Sequence, residues 1–177
     1  MMSDFLSQYK MIGADIKIKH TMLENSYMKH IIYFYTKRRL HMKFTIKEYT
    51  IYNEREILNL YNSVGWSNYT SNPSMLKNAC KHSLKILGAY DVDRLAGIIR
   101  VTGDGYSMIY IQDIIVLPEY QRKGIGTLLL EKILFEYKNV YQKVLITDNT
   151  AKNIQFYKSA GFMMDTDIDC RAFLKIN

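Results

Sequence analysis

One short segment of the sequence combines glycine and basic residues in a way that suits phosphate binding. Residues 121–126 (QRKGIG) follow an apolar run that Pro118 ends, and they precede apolar residues at helical spacing. Gly124 and Gly126 allow backbone to approach a ligand closely. The first turn of a following helix leaves N–H groups unpaired at the positive end of the helix dipole. The segment therefore predicts an anion site at a helix N-terminus.

Two better-known phosphate loops are excluded here. The segment has no GxGxxG pattern, and no Gly-Lys-Ser/Thr follows it, so neither a dinucleotide loop nor a P-loop is predicted. A bare GxG is also typical of a turn and helix start without a ligand. The preceding strand, the proline, the basic pair Arg122-Lys123 and the following apolar helix favour a ligand.

The elements around this segment predict one mixed α/β domain. Residues 107–117 (SMIYIQDIIVL) are rich in β-branched and aromatic residues, which indicates a central strand buried on both faces. Residues 124–137 carry leucine and isoleucine at helical spacing. The predicted order over residues 43–176 is β-α-α-β-β-β-α-β-α-β-β, which is typical of an α/β layer architecture.

Turn and cap residues set the limits of several elements. Asn53, with Glu56 three residues later, predicts a capping box that opens a helix to about Ser63, and Gly65 ends it. Residues 91–94 (DVDR) predict a hairpin turn. Residues 162–164 and 170–176 are predicted to form a final pair of strands.

The charge distribution divides the chain near Met42. The formal net charge is +7, and residues 1–41 contribute +4 of it, since they hold seven Lys or Arg against three acids. We expect a basic N-terminal extension of unknown role at 1–41 and a folded domain at 42–177, with Met42 as an alternative start. A solvated extension is favoured over nucleic-acid binding.

Several classes of protein are disfavoured by composition. No apolar run approaches the roughly 18–20 residues of a membrane helix, and no signal-peptide pattern opens the chain, so a cytoplasmic protein without membrane contact is expected. Cys80 and Cys170 lack CxxC spacing and are expected to be reduced, partly buried thiols. The four histidines do not lie at metal-ligand spacing, so no metal site is predicted.

The segments around this loop resemble those of a known family. Residues 114–130 resemble the Q/R-x-x-G-x-G/A signature of the GNAT superfamily, the acetyl-CoA-dependent N-acetyltransferases. Residues 153–157 (NIQFY) before Gly161-Phe162 are similar to the family's next segment. The resemblance covers about 43–177. It implies a mixed, mostly antiparallel central sheet of about six to seven strands flanked by helices, with acetyl-CoA as co-substrate and no metal. A homodimer is compatible with it.

The resemblance also implies where acetyl-CoA lies. The strand at 108–117 splays from the strand at 143–147, the pantetheine arm enters the gap, and the N–H groups after residue 121 hold the pyrophosphate. The residues implied at the cofactor are Ile114, Ile115, Val116, Gln121, Arg122, Lys123, Gly124, Ile125, Gly126, Thr127, Asn149, Asn153 and Phe156.

Acetyl transfer from a thioester to an amine places demands of different size on the protein. Deprotonating an alkylammonium at pH 7 costs about 4.6 kcal/mol, and forming a thiolate costs about 2 kcal/mol, so a base is the larger requirement. By resemblance, the Tyr157 hydroxyl points at the thioester sulfur and acts as the acid. The alternative is a tyrosine that only packs its ring.

The base has more than one candidate. Asp113 is the only carboxylate on the predicted central strand. Strand alternation places Tyr110 and Gln112 on one face and Asp113 on the other, so Asp113 needs a bulge to reach the same site. The alternatives are a structural role for Asp113 and a water chain past Gln112 and Tyr110 that delivers the proton to solvent.

The resemblance implies that the acceptor contacts Trp66, Tyr69, Tyr110 and Gln112. An aromatic pair suits a cationic or aromatic amine, whereas the alternative is a hydrophobic plug between helix and sheet. The aromatic segment after the first helix, taken with residues 110–114 and 147–149, is similar to a bacterial branch related to arylalkylamine (serotonin-type) acetyltransferases. That implies a small-molecule primary amine as acceptor. A protein or peptide amine, and a non-catalytic acyl-CoA-binding module, stay open.

Overall fold

The computed structural model describes residues 44–175, so the predicted extension at 1–41 and the boundary at Met42 lie outside the described part of the chain. The elements are β1 (Phe44–Glu48), α1 (Glu54–Ser63), α2 (Ser67–Thr70), α3 (Pro73–Lys81), β2 (Lys85–Asp91), β3 (Arg94–Gly103), β4 (Met108–Val116), a 3-10 turn (Pro118–Tyr120), α4 (Ile125–Glu136), β5 (Gln142–Leu145), α5 (Ala151–Ser159) and a second 3-10 turn (Asp165–Ile168).

The strands form a single mixed sheet in the order β1-β2-β3-β4-β5. Neighbours from β1 to β4 are antiparallel, whereas β4 and β5 are parallel. The predicted mixed, mostly antiparallel sheet flanked by helices is therefore confirmed. The predicted number of strands is slightly too high, because residues 44–175 contain five.

The final pair of predicted strands is absent from the described residues. A 3-10 turn and Asp169 in a left-handed conformation (φ 52°) occupy the middle of this stretch. Met163 and Phe173 are 68% and 94% exposed, and Phe162 and Met164 are only half-buried, so neither predicted strand has a fully buried face. A strand pair without a buried face or a partner sheet is at best marginally stable, which explains why a β-like sequence here forms no ladder.

The start of α1 shows how local sequence fixes a boundary. The Asn53 side chain accepts a hydrogen bond from the Glu56 N–H (3.3 Å), so the predicted N-cap is confirmed. The reciprocal half of the capping box is replaced, because the Asn53 N–H donates to the Tyr49 hydroxyl (2.9 Å). Gly65 follows the helix with φ +77°, a conformation that favours glycine.

The core is centred on β3 rather than on β4. Residues 95–101 are buried without interruption, as expected for a strand covered on both faces. In β4 buried and half-buried residues alternate from Ile109 to Val116. The expectation of two-sided burial for 107–117 is therefore wrong, because the half-buried face of β4 borders a cleft. Side chains from α1, α3 and α4 complete the core: Ile57, Leu60, Tyr61, Leu76, Leu129, Leu130 and Ile133.

The expectations about membrane helices and about the two cysteines can be compared only with the described residues. None of the helices within 44–175 is long and apolar enough to cross a membrane. The two thiols differ from each other: Cys80 is buried at the end of α3, but Cys170 is exposed and not partly buried as expected.

This difference predicts unequal thiol reactivity. Burial raises the pKa of Cys80 to about 11, so only about one Cys80 in a thousand is a thiolate at pH 8. We expect a disulfide reagent such as DTNB to modify one thiol quickly in the native protein and the second only after unfolding. Cys170→Ser should remove the fast phase, and two equivalents reacting at one fast rate would contradict the described packing.

Candidate active site

The parallel pairing of β4 with β5 is short and leaves a gap beyond it. The paired residues run from Met108 opposite Gln142 to Ile111 opposite Leu145, after which β5 ends and β4 continues to Val116. A cleft of about 920 Å³ opens at this point, bordered by β4, the loop before α4, the start of α4 and α5. The expected separation of the two strands is thus present.

The loop before α4 presents backbone to one end of this cleft. Arg122 and Gly124 have positive φ values (60° and 84°), and Gly124 is the N-cap residue of α4. A Cβ added at Gly124 would meet open space, whereas one at Gly126 would lie 3.7 Å from the Phe156 ring. Because no side chain of the described residues caps α4, its first N–H groups remain available to an anion. The Gln121 amide donates to the Val116 carbonyl (3.1 Å) and holds the loop against β4.

Most of the residues expected at the cofactor border the cleft, and three do not. Ile115 is 1% exposed and belongs to the core face of β4. Lys123 places its ammonium 5.0 Å from the Tyr120 ring centroid. Asn149 is exposed outside the lining. Those at the cleft are Ile114, Val116, Gln121, Arg122, Gly124, Ile125, Gly126, Thr127, Asn153 and Phe156.

Helix α5 brings Asn153 and Tyr157 to the gap between the strands. The Asn153 amide donates to the Thr147 hydroxyl (2.9 Å), which joins α5 to the chain just after β5. The Tyr157 ring packs edge-on against Phe156 and Phe162, with centroids 4.9 and 5.9 Å away. Burial raises the pKa of Tyr157, although a hydrogen bond with Thr147 opposes the shift. Its hydroxyl therefore carries a proton at neutral pH and can donate it.

Asp113 lies in a buried ion pair on the opposite face of β4. Arg100 of β3 is its register partner, and the Arg100 Nε donates to the Asp113 Oδ2. The Tyr61 hydroxyl of α1 donates to the same oxygen (2.7 Å). Asp113 borders the cleft, but its side chain is only 1% exposed. This placement fits the structural alternative for Asp113 better than the role of base.

The bulge considered for β4 is present, but it does not turn Asp113 towards the cleft. The β3–β4 register shifts between Arg100 and Val101, which leaves Gln112 without a Cα partner. Burial still alternates through the bulge, with Gln112 half-buried and Asp113 buried. Gln112 points to the acceptor end, where its amide donates to the Tyr69 hydroxyl (3.3 Å).

Three rings cluster at that end of the cleft. Tyr61, Trp66 and Tyr69, here called the aromatic cluster, have centroid separations of 5.4 to 5.8 Å. Trp66 and Tyr69 line the cleft together with Tyr110 and Gln112, so the four residues expected at the acceptor lie together. Burial, followed by the charge of Asp113, raises the pKa of Tyr61, so its hydroxyl stays a donor.

Two partners of this site were missed at the level of sequence. Arg100 is the single charge in the apolar run 95–101, and a charge in such a run requires a buried counterion. Asp113 in the next strand was its obvious partner, so pairing the two lone charges would have predicted the ion pair. Tyr61 gave no comparable signal, because a tyrosine on an apolar helix face is ordinarily interpreted as a residue that packs its ring in the core.

No group of three or more metal-ligating His, Cys, Asp or Glu side chains occurs among residues 44–175. The cleft instead offers backbone N–H groups, amides and phenols. These groups suit an anionic ligand with amide functions, such as a phosphorylated carrier, and an amine at the aromatic end.

Comparison with known proteins places this geometry in context. The family described as Acetyltransferase (GNAT) domain matches residues 82–164. A GNAT family acetyltransferase of known structure from Streptococcus pneumoniae is 44% identical to this chain. The two structures match with a TM-score of 0.69 over 76% of this chain and 98% of that protein. A probable acetyltransferase from Staphylococcus aureus is 29% identical over 75% of this chain and 99% of its own, with a TM-score of 0.62.

Further relatives extend the similarity. An uncharacterised ycf52-like N-acetyltransferase of Prochlorococcus marinus is 33% identical over 116 residues, which is 62% of this chain and 62% of that protein. The PaiA N-acetyltransferase of Thermoplasma acidophilum, solved with coenzyme A, is 19% identical with a TM-score of 0.56 over 69% of this chain and 91% of its own. At that identity the likeness concerns the fold alone.

The buried pair predicts a large effect of removing one partner. Arg100→Met leaves the Asp113 carboxylate buried without its cation, so we expect a loss of about 3–5 kcal/mol in the free energy of unfolding, measured by urea denaturation. Adding Asp113→Asn, which keeps an acceptor for Tyr61, should recover more than half of that loss. A cost below about 1 kcal/mol for Arg100→Met would contradict the described pairing.

Proposed function

Because the chain belongs to the GNAT family of acetyltransferases, we propose that it transfers an acetyl group from acetyl-CoA to the primary amine of a small molecule, by direct attack in a ternary complex. The observation that carries this proposal is the arrangement of the cleft, which has an uncapped helix N-terminus at one end and the aromatic cluster at the other. We assign this activity to a domain spanning 42–177.

The donor end suits the parts of acetyl-CoA. The N–H groups that follow Gln121, at Arg122 and from Gly124 to Thr127, would hold the pyrophosphate at the positive end of α4. Beyond Ile111 the β5-side edge of β4 has no strand partner in the described residues, so the backbone at Ile114 and Val116 is available to the amide-containing arm. Asn153 borders the same gap and would anchor the arm from α5.

The acid step is assigned to Tyr157. The amine nitrogen bonds to the carbonyl carbon of the thioester, the carbon–sulfur bond breaks, and the sulfur leaves with the bond's electron pair. The Tyr157 hydroxyl supplies a proton to that sulfur and is reprotonated from solvent. Its raised pKa favours this role, because the phenol is protonated over the whole neutral range.

The base step is assigned to water and not to Asp113. Deprotonation of the ammonium is the larger cost, but the Asp113 Oδ2 already accepts hydrogen bonds from Arg100 and Tyr61 within the core. Gln112, Tyr110 and Tyr69 present polar atoms to the cleft, and a water chain along them would deliver the proton to bulk solvent. Asp113 then influences the site through Arg100 and Tyr61, which donate hydrogen bonds to it.

An arylalkylamine is the acceptor class that the aromatic end suits best. Trp66 and Tyr69 offer ring faces to an aromatic body, or to a cation before it loses its proton. This would place the chain near the branch related to serotonin-type acetyltransferases, acting in the cytoplasm.

The first test is a thiol-release assay with acetyl-CoA and a panel of amines. We expect release with at least one small primary amine, and faster release with arylalkylamines than with polyamines or peptide N-termini. Trp66→Ala should raise the KM for arylalkylamines more than the KM for aliphatic amines, because only the aromatic acceptors lose ring stacking. Acetyl-CoA binding without release on any amine would favour a non-catalytic binding module and sink the proposal.

The second test addresses Tyr157. Tyr157→Phe keeps the ring packing and removes the proton donor, so we expect kcat to fall about a hundredfold or more with little change in acetyl-CoA affinity. Tyr157 acts in its protonated form, and its pKa is raised above the usual value of 10. Deprotonation of Tyr157 should therefore cause no loss of wild-type activity below pH 10. Unchanged turnover in the variant would remove Tyr157 from the mechanism.

A further inference from the structure

Tyr61 connects the buried ion pair to the acceptor end of the cleft. Its hydroxyl donates to the Asp113 Oδ2 (2.7 Å), and its ring contacts both Trp66 and Tyr69. Its carbonyl accepts a hydrogen bond from the Trp66 N–H (3.1 Å). A single fully buried residue of α1 thus contacts the interior charge on one side and both cleft-lining rings on the other.

The segment that carries Trp66 and Tyr69 has few stabilising interactions within itself. Helix α2 has four residues, none of them buried, and its N-cap Trp66 makes no side-chain cap bond. A helix this short is not stable by itself, so its position must come from tertiary contacts. They include the ring packing on Tyr61, the hydrogen bond from the Trp66 N–H to the Tyr61 carbonyl, and the hydrogen bond from the Gln112 amide to the Tyr69 hydroxyl.

Two consecutive residues of β4 supply the hydrogen-bond partners of Tyr69 and Tyr61. Gln112 and Asp113 are consecutive residues whose side chains leave opposite faces of the strand. Gln112 holds Tyr69 from the cleft side, and Asp113 holds Tyr61 from the core side. Arg100 completes the core side, because it binds Asp113 and also reaches the Ser83 hydroxyl after α3 (3.4 Å).

We propose that Tyr61 is a positioning residue for the acceptor, acting through its hydroxyl bond to Asp113. Tyr61 itself does not line the cleft, so its effect passes through Trp66 and Tyr69. The inference rests on the proposed function for its kinetic consequence, which is selective binding of the amine. Its structural consequence, a fixed orientation of Trp66, does not depend on catalysis.

The kinetic experiment compares Tyr61→Phe with the wild type for both substrates. Phenylalanine keeps the ring but loses the bond to Asp113, so we expect the KM for the best amine to rise about tenfold, the size permitted by one hydrogen bond to a charged group. The KM for acetyl-CoA should stay within about twofold, because Tyr61 contacts the two rings at the acceptor end and does not line the cleft. An equal rise for both substrates would overturn the proposal.

A double-mutant cycle tests whether the hydroxyl works through Asp113. In an Arg100→Met/Asp113→Leu background, where the acceptor oxygen is gone and no buried charge is left unpaired, Tyr61→Phe should change the amine KM less than threefold, because its effect depends on Asp113. Full additivity would mean that the hydroxyl acts by another route and would overturn the inference.

Fluorescence provides a readout that needs no activity. Trp66 is the only tryptophan of the chain, so its emission reports the aromatic cluster directly. We expect Tyr61→Phe to shift the Trp66 emission to longer wavelength and to increase its quenching by acrylamide, at a temperature where urea and thermal melts show the variant folded. An unchanged spectrum would contradict the proposal even if some amine is acetylated.

Tyr52→Phe is the matched control. It makes the same chemical change at a buried hydroxyl that has no hydrogen-bond partner within residues 44–175 and lies outside the cleft lining. Its amine KM and Trp66 spectrum should equal those of the wild type. If Tyr52→Phe reproduced the effects of Tyr61→Phe, the cause would be general loosening and the proposal would fail. If wild-type protein acetylates no amine on the panel, the proposed function fails while the spectra still decide this inference.

Discussion

The parallel pairing of β4 with β5 stops after four residues, and the candidate site depends on that stop. Beyond Ile111 the edge of β4 faces a gap where a neighbouring strand would otherwise lie. Backbone N–H and C=O groups cannot be left dry without a partner, so such an edge must meet water or a ligand. The loop before α4 and the helix α5 both border this gap, which is why the N-terminus of α4 and Tyr157 lie at one cleft.

The opposite face of β4 explains how the strand keeps its shape at the bulge. Arg100 and Asp113 pair across the β3–β4 ladder next to the register shift, inside the core. A buried pair of this kind is weak evidence for net stability, but losing one partner is costly, so it specifies a register. The same pairing engages the Oδ2 atom of Asp113, the one carboxylate of β4. In the mechanism that we propose, this carboxylate has a structural role, and the amine proton leaves through polar groups and solvent.

Features that depend on neighbouring residues could be predicted from the sequence, whereas features that depend on distant contacts could not. The helix start at Gly124 and the cap at Asn53 depend on local backbone rules, and both were predictable. The strands expected after Phe162 were not, because β propensity has no effect without a partner and a buried face. The centre of the core was assigned to β4 instead of β3, since an apolar run does not show whether its second face meets a helix or a cleft.

The central claim is that acetyl-CoA occupies the gap between β4 and β5, with its pyrophosphate at the start of α4. Amide hydrogen exchange, measured by mass spectrometry with and without coenzyme A, tests this directly because protection reports the backbone itself. The account predicts protection in residues 114–116 and 122–127, with no change in β1 or β2. No protection, or protection confined to residues outside the cleft, would contradict it.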